Sequence, residues 1–170
     1  PTVDGDRVYA LGAEGNLVCL SVQDGSVVWA RDFKKDYQLK IAEWGTAAHP
    51  LVDGNKLICV VGGQGSTCVA FDKMTGKELW RALSAEKPGY CPPVIHTLGE
   101  KRQLLIWHSD AVEALDPETG QVYWTVEIKP TFAMSIGQPV VENNRVYVMS
   151  FNRVSACIDV AADGQSAQLR

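Results

Sequence analysis

A motif that recurs without gaps constrains this chain more than any other feature. Its copies are Cys19-Leu-Ser-Val-Gln-Asp-Gly-Ser-Val-Val-Trp29, Ala70-Phe-Asp-Lys-Met-Thr-Gly-Lys-Glu-Leu-Trp80 and Ala114-Leu-Asp-Pro-Glu-Thr-Gly-Gln-Val-Tyr-Trp124. Each runs small residue, hydrophobic residue, usually Asp, three variable residues, Gly, three more residues, Trp. A fourth copy, Cys157-Ile-Asp-Val-Ala-Ala-Asp-Gly164, lacks the Trp. Trp29, Trp80 and Trp124 are spaced by 51 and 44 residues, a period that suits one blade of a β-propeller.

A second element precedes each copy. Pro1-Thr-Val-Asp-Gly-Asp-Arg-Val-Tyr-Ala matches Pro50-Leu-Val-Asp-Gly-Asn-Lys-Leu-Ile-Cys, and Pro139-Val-Val-Glu-Asn-Asn-Arg-Val-Tyr-Val follows the same plan. Pro93-Val-Ile-His-Thr-Leu-Gly-Glu-Lys-Arg-Gln-Leu-Leu-Ile is a version with a longer turn. Asp-Gly and Asn-Asn between apolar runs are hairpin signals, because these residues tolerate positive φ. Each unit therefore predicts four short antiparallel strands, with repeats at about 1–33, 46–83, 91–128 and 137–170. The fold class is all-β, with about four blades forming one partial propeller domain over 1–170. A ring of about seven or eight blades is expected, with these four as an open fan, since ring closure protects sheet edges. The glycine turns leave no room for a helix of any length.

The repeat accounts for many residues structurally. Gly25, Gly76 and Gly120 serve the third-to-fourth turns, and Asp72, Asp116 and Asp159 are placed to accept hydrogen bonds from turn N–H groups. Trp29, Trp80 and Trp124 are read as packing anchors between blades, because a ligand site would not be built three times. Cys19 and Cys157 fill the slot of Ala70 and Ala114, and Cys59 fills that of Ala10. With Cys68 and Cys91 they make five cysteines whose spacing fits no zinc, haem or redox motif.

What does not repeat is where function is expected. The second-to-third and inter-blade loops differ in length and chemistry, and rigid scaffolds present function on such loops. The segment Lys34–Trp44 is the longest and combines charge with aromatics. Trp107, His108 and Asp110 stand where other blades have Gly-rich loops, and Tyr90, Met134 and Ser135 could approach a central channel. Trp44, Trp107, His108, Asp110 and Tyr90 are thus the candidate ligand-binding residues, with Trp44 and Trp107 as a stacking pair for a flat ligand. No metal-ligand cluster, nucleophile elbow or phosphate loop is apparent, and Gly62-Gly-Gln-Gly65 falls in a hairpin loop. A net charge of −4 with no basic run argues against nucleic acid, and no apolar stretch is long enough for a membrane-spanning helix.

Phe71–Trp80 and Leu115–Trp124 resemble the tryptophan-docking repeat of the quinoprotein-like propellers, named for pyrroloquinoline quinone (PQQ). That family includes PQQ-dependent alcohol dehydrogenases and BamB-type outer-membrane assembly lipoproteins, which bind no quinone. The resemblance implies a periplasmic or otherwise extracytoplasmic setting. The dehydrogenases carry a calcium or lanthanide on Glu, Asn and Asp, a catalytic Asp and a vicinal disulfide. None of these is matched here, so no catalytic residue is carried over. The expectation is a non-catalytic scaffold or protein-interaction segment with no cofactor, partnered by further blades of its own chain and by other proteins through the loop face. The alternatives are a fragment of a PQQ- and calcium-dependent dehydrogenase whose site lies in other blades, and a carbohydrate- or small-ligand-binding sensor.

Overall fold

The computed structural model describes the backbone of residues 1–170 and every side chain except that of Arg153. Its residues form two compact units, Pro1–Pro88 and Gly89–Arg170. Each unit holds two four-stranded antiparallel meanders of the β-propeller blade type.

In the first unit, blade 1 comprises β1 (Thr2–Asp4), β2 (Arg7–Leu11), β3 (Asn16–Ser21) and β4 (Val27–Asp32). Blade 2 comprises β5 (Leu51–Asp53), β6 (Lys56–Val60), β7 (Cys68–Asp72) and β8 (Glu78–Ala82). In the second unit, blade 3 comprises β9 (Val94–Leu98), β10 (Lys101–Trp107), β11 (Ala111–Leu115) and β12 (Val122–Glu127). Blade 4 comprises β13 (Val140–Glu142), β14 (Arg145–Met149), β15 (Ser155–Val160) and β16 (Ala167–Leu169).

The third-to-fourth hairpin is where sequence and geometry agree most closely. In blade 2, Asp72 Oδ1 accepts from the N–H groups of Met74 (3.1 Å) and Thr75 (2.8 Å) and from Thr75 Oγ1 (2.8 Å), and these bonds hold its carboxyl below the usual carboxylate range. Asp116 Oδ1 accepts from Glu118 N–H at 2.7 Å in the same way. Blades 1, 2 and 3 share a bulge just beyond, between Cys19 and Leu20, Ala70 and Phe71, and Ala114 and Leu115, setting each small residue opposite its Trp. Blade 4 departs from this plan. Its strand β15 runs on to Val160 without a bulge, and its turn closes two residues later, from Ala161 N–H to Ser166 O. Asp159 is therefore left within the strand, where it accepts from Arg145 Nε at 2.9 Å, and Asp163 holds the turn through Gln165 N–H. The expectation that Asp159 clasps its turn is corrected accordingly.

The repeated Trp joins neighbouring blades within each unit. Trp29 lies on the blade 2 turn: its Nε1 donates to Lys73 O at 3.1 Å, and a Cβ on Gly76 would sit 2.7 Å from its ring. Gly76 also has φ +69°, so this position excludes a side chain twice over. Trp124 reaches blade 4 through a relay. Its Nε1 donates to Gln103 Oε1 at 2.7 Å, and Gln103 Nε2 donates to Leu98 O at 3.0 Å and Gly164 O at 2.9 Å. The cores follow these seams, one around Tyr9, Leu17, Cys19 and Phe71, the other around Leu105, Ala114, Trp124, Val146 and Ile158.

The five cysteines remain thiols, and burial dominates their chemistry. It pushes the Cys19 thiol up, the Cys59 thiol well up and the Cys91 thiol up to about 12. A raised pKa means the folded state favours the neutral thiol. The Cys91 contribution is therefore complete below the ordinary thiol value near 9 and is lost as pH rises through about 12. Two results are expected: the urea midpoint falls steadily above pH 9, and native Cys19, Cys59 and Cys91 resist iodoacetamide at pH 8 until denaturant is added. Rapid native labelling of these three thiols would contradict the packing described.

Candidate functional site

The segment after blade 1 builds one wall of a cleft in the first unit. Asp32 caps a short helix, α1 (Phe33–Tyr37), its Oδ1 accepting from the N–H groups of Lys34 (3.0 Å) and Lys35 (3.3 Å). No helix is expected from the repeat; this single turn forms because the segment supplies its own cap and two buried aromatics. Phe33 stacks on Phe71 with ring centroids 6.0 Å apart, and Tyr37 meets Phe71 edge-on at 6.2 Å. Tyr37 Oη donates to Glu78 Oε2 at 2.6 Å, and burial with this carboxylate raises the phenol pKa. Gln38 ends the turn in the left-handed region at φ +55°.

The chain then runs over the second-to-third loop of blade 2. A Cβ on Gly62 would lie 2.8 Å from the Leu39 side chain, and one on Gly63 would lie 2.3 Å from Tyr37 O. Both glycines have positive φ, so the close passage requires them. Ser66 Oγ donates to Gly62 O at 2.8 Å, and Gly65 N–H donates to Ser84 Oγ at 2.8 Å, which fixes the loop. Between these walls lies a cleft of about 420 Å³ lined by Asp36, Gln38, Lys40, Gln64, Arg81 and Glu86, among others. Charges of both signs face it, and Asp36 is 3.7 Å from Arg31. Such an arrangement suits polar, mixed-charge surfaces better than an apolar ligand.

The sequence-predicted residues fall into two groups. Trp44, at the end of the Lys34–Trp44 segment, is 55% exposed in the first unit. Tyr90, Trp107, His108 and Asp110 lie in the second unit, the first three of them buried. Trp107 is only 1% exposed, within the apolar core, so it has no face for a ligand; the Trp44–Trp107 stacking pair is corrected on this ground. His108 is buried and held at both nitrogens: Nε2 lies 2.8 Å from Glu113 Oε2, and Nδ1 accepts from Asp110 N–H at 3.2 Å. Glu113 in turn accepts from Thr125 Oγ1 at 2.7 Å. With Nδ1 accepting, the proton sits on Nε2, and the imidazole braces the β10–β11 loop. Tyr90 is also buried, its N–H donating to Ser135 O at 3.0 Å.

Asp36, Gln38 and Lys40 of the cleft fall within the Lys34–Trp44 segment that the sequence singles out, whose named candidate Trp44 does not line it, and Arg81 on the other wall was not singled out at all. Arg81 directly follows the repeat Trp80 on β8, a position that reads as framework from sequence. Among the described residues, no three His, Cys, Asp or Glu side chains are grouped to hold a metal, and no helix is long and apolar enough to cross a membrane.

Comparison with known proteins agrees with the blade geometry. A family model described as outer membrane protein assembly factor BamB matches residues 1–169. The assembly factor BamB of Shewanella oneidensis is 23% identical over 149 residues, covering 87% of this chain and 33% of its own length. The crystal structure of BamB from Moraxella catarrhalis superposes with a TM-score of 0.65 at 21% identity, covering 97% of this chain and 46% of that one. A quinohemoprotein alcohol dehydrogenase from Comamonas testosteroni gives a TM-score of 0.64 at 14% identity over 96% of this chain and 33% of its own. The chain thus spans less than half the length of these relatives. With the repeat, the blades and the packing of Trp29 and Trp124 accounted for, the chain belongs to the BamB family of PQQ-like repeat propellers.

Proposed function

We propose that this chain is a non-catalytic propeller segment that docks a protein partner during outer-membrane protein assembly, in an extracytoplasmic compartment. The observation that carries the reading is the mixed-charge cleft beside α1, whose walls are set by the glycine passage at Gly62 and Gly63. Family membership supplies the biological setting. Charged side chains on a rigid rim orient a partner and speed its encounter, and their reversal opposes binding. The test uses the full-length protein in a bacterial strain depleted of its own assembly factor of this family. Wild type should restore outer-membrane porin levels. The variant Lys40→Glu/Arg81→Glu should fold normally by circular dichroism, bind its partner about tenfold or more weakly, the change that about 1.4 kcal/mol of binding free energy makes, and restore clearly less porin than wild type. Full restoration by this variant would sink the cleft as the docking site.

A second reading is favoured by the likeness to a quinohemoprotein dehydrogenase. The side chains here do not suit it: Glu113 is committed to His108 and Thr125, Asp72 and Asp116 to their turns, and Asp159 to Arg145. On this reading the quinone and metal site would lie in other blades. Titration of the full-length protein with PQQ and calcium should give no saturable binding, and alcohol-dependent dye reduction would favour the dehydrogenase.

A further inference from the structure

The loop Gly62-Gly-Gln-Gly65 forms part of the cleft beside α1, and its backbone donors are unevenly spent. Gly62 N–H donates to Ser66 O at 3.1 Å, Gly65 N–H to Ser84 Oγ at 2.8 Å and Ser66 N–H to Gly63 O at 3.3 Å. Among the described residues, the N–H groups of Gly63 and Gln64 have no acceptor. Successive free N–H groups on a tight glycine turn favour an anion. The charges nearby agree. The acids in and behind the cleft are already engaged: Asp36 is 3.7 Å from Arg31, Glu78 accepts from Tyr37 Oη at 2.6 Å, and Glu86 interacts within the chain. The cations are less committed. Lys40 has no acidic partner among the described residues. Arg81 Nε stands 3.6 Å from Glu78 Oε1, too far for a hydrogen bond, and the Arg81 side chain is 56% exposed.

We propose that this cleft recognises a carboxylate, carried by an acidic segment of the protein partner; the proposal rests on the reading of the cleft as the docking site. Lys40 and Arg81 attract the acidic segment from opposite walls. The carboxylate then accepts from the N–H groups of Gly63 and Gln64. An ionised carboxylate only accepts hydrogen bonds, so it matches a site whose unspent groups are donors, and such charge-assisted bonds are the stronger kind. A basic segment fits poorly, because the acids it would need are held by Arg31, Tyr37 and other groups of the chain. The cleft volume of about 420 Å³ suits a few side chains of a partner segment. Inorganic phosphate offers the same acceptor chemistry, and the experiment separates the two sources.

The experiment titrates the full-length protein with a dye-labelled peptide of alternating glutamate and glycine, blocked at both ends, and with its glutamine counterpart, by fluorescence anisotropy. The glutamate peptide should bind about tenfold or more tightly than the glutamine peptide, and the difference should shrink as salt is raised. Lys40→Met and Arg81→Met should each weaken the glutamate peptide about threefold or more. If Arg81→Met does not fold, Arg81→Lys should keep most of the affinity while Lys40→Met still loses it. Lys77→Met, at an exposed position of the blade 2 turn, should change nothing. An equal loss in Lys77→Met would reduce the effect to net charge and overturn the proposal. Equal affinity for the two peptides would overturn it as well, even where Lys40→Glu/Arg81→Glu fails to restore porin levels. Full restoration by that double variant would instead remove the docking reading beneath it. Displacement of the glutamate peptide by inorganic phosphate at concentrations no higher than those of the peptide would make a free anion the occupant and overturn the partner segment.

Discussion

Replacing Gln103 with Ala is expected to cost about 3 kcal/mol of stability, because one buried amide serves two blades at once. Its carbonyl accepts from Trp124 Nε1, and its amide donates to Leu98 O and Gly164 O. Gln103 is fully buried and Trp124 nearly so, so water cannot replace the lost partners without opening the seam. Three buried polar groups would lose hydrogen bonds, and a cavity would remain. The measurement is urea unfolding of Gln103→Ala beside Trp124→Phe and the double variant. The two changes share one hydrogen bond, so their costs should fall short of additivity by about 1 kcal/mol. Full additivity would mean that Trp124 and Gln103 act independently and that the relay is not a unit.

Gly63→Ala should be similarly severe, at about 3 kcal/mol, and should also damage the cleft. The backbone at Gly63 has φ +88°, and the new Cβ would lie 2.3 Å from Tyr37 O, a backbone atom with no freedom to give way. Gly65, two residues on, separates the causes. It too has positive φ, +71°, but nothing lies within 4 Å of its Cβ position. Gly65→Ala should therefore cost only the conformational strain, about 1 kcal/mol. Equal costs for the two variants in urea unfolding would show that the loop yields to α1, and would remove the argument that the cleft walls are rigid.

The fold was legible because the repeat writes the same turn chemistry several times. An Asp that can accept from turn N–H groups, followed by a Gly in the left-handed region, leaves few alternatives to a hairpin, and each copy strengthens the reading of the others. The exceptions lay where the local pattern was ambiguous. Asp159 aligned with Asp72 in sequence, yet the ladder runs two residues further, and no alignment of residue types reveals where a strand stops pairing. The candidate site was half legible. The charge and aromatic content of Lys34–Trp44 marked one wall, since a segment outside the repeat carries residues that the framework does not need. Burial was not visible: Trp107 and His108 read as candidate ligand-binding residues of a loop, but Trp107 packs in the core and the β10–β11 loop folds inward and spends both imidazole nitrogens on Glu113 and Asp110. Arg81 was hidden for the opposite reason, lying on a strand that read wholly as structure.

The docking of Trp29 on the Gly76 turn has a direction: the indole comes from the earlier blade and the glycine from the later one. A contact between unlike surfaces of successive copies is heterologous, and it can be repeated indefinitely. Each added copy brings both a new indole and a new receiving turn, so a gene can lengthen or shorten such an array by whole modules without inventing a new joint. Whether the array returns to its start or winds on as a helix then depends only on the rotation imposed at each joint. Small residue changes beside the receiving glycine are therefore a route to changing how many copies complete a circle.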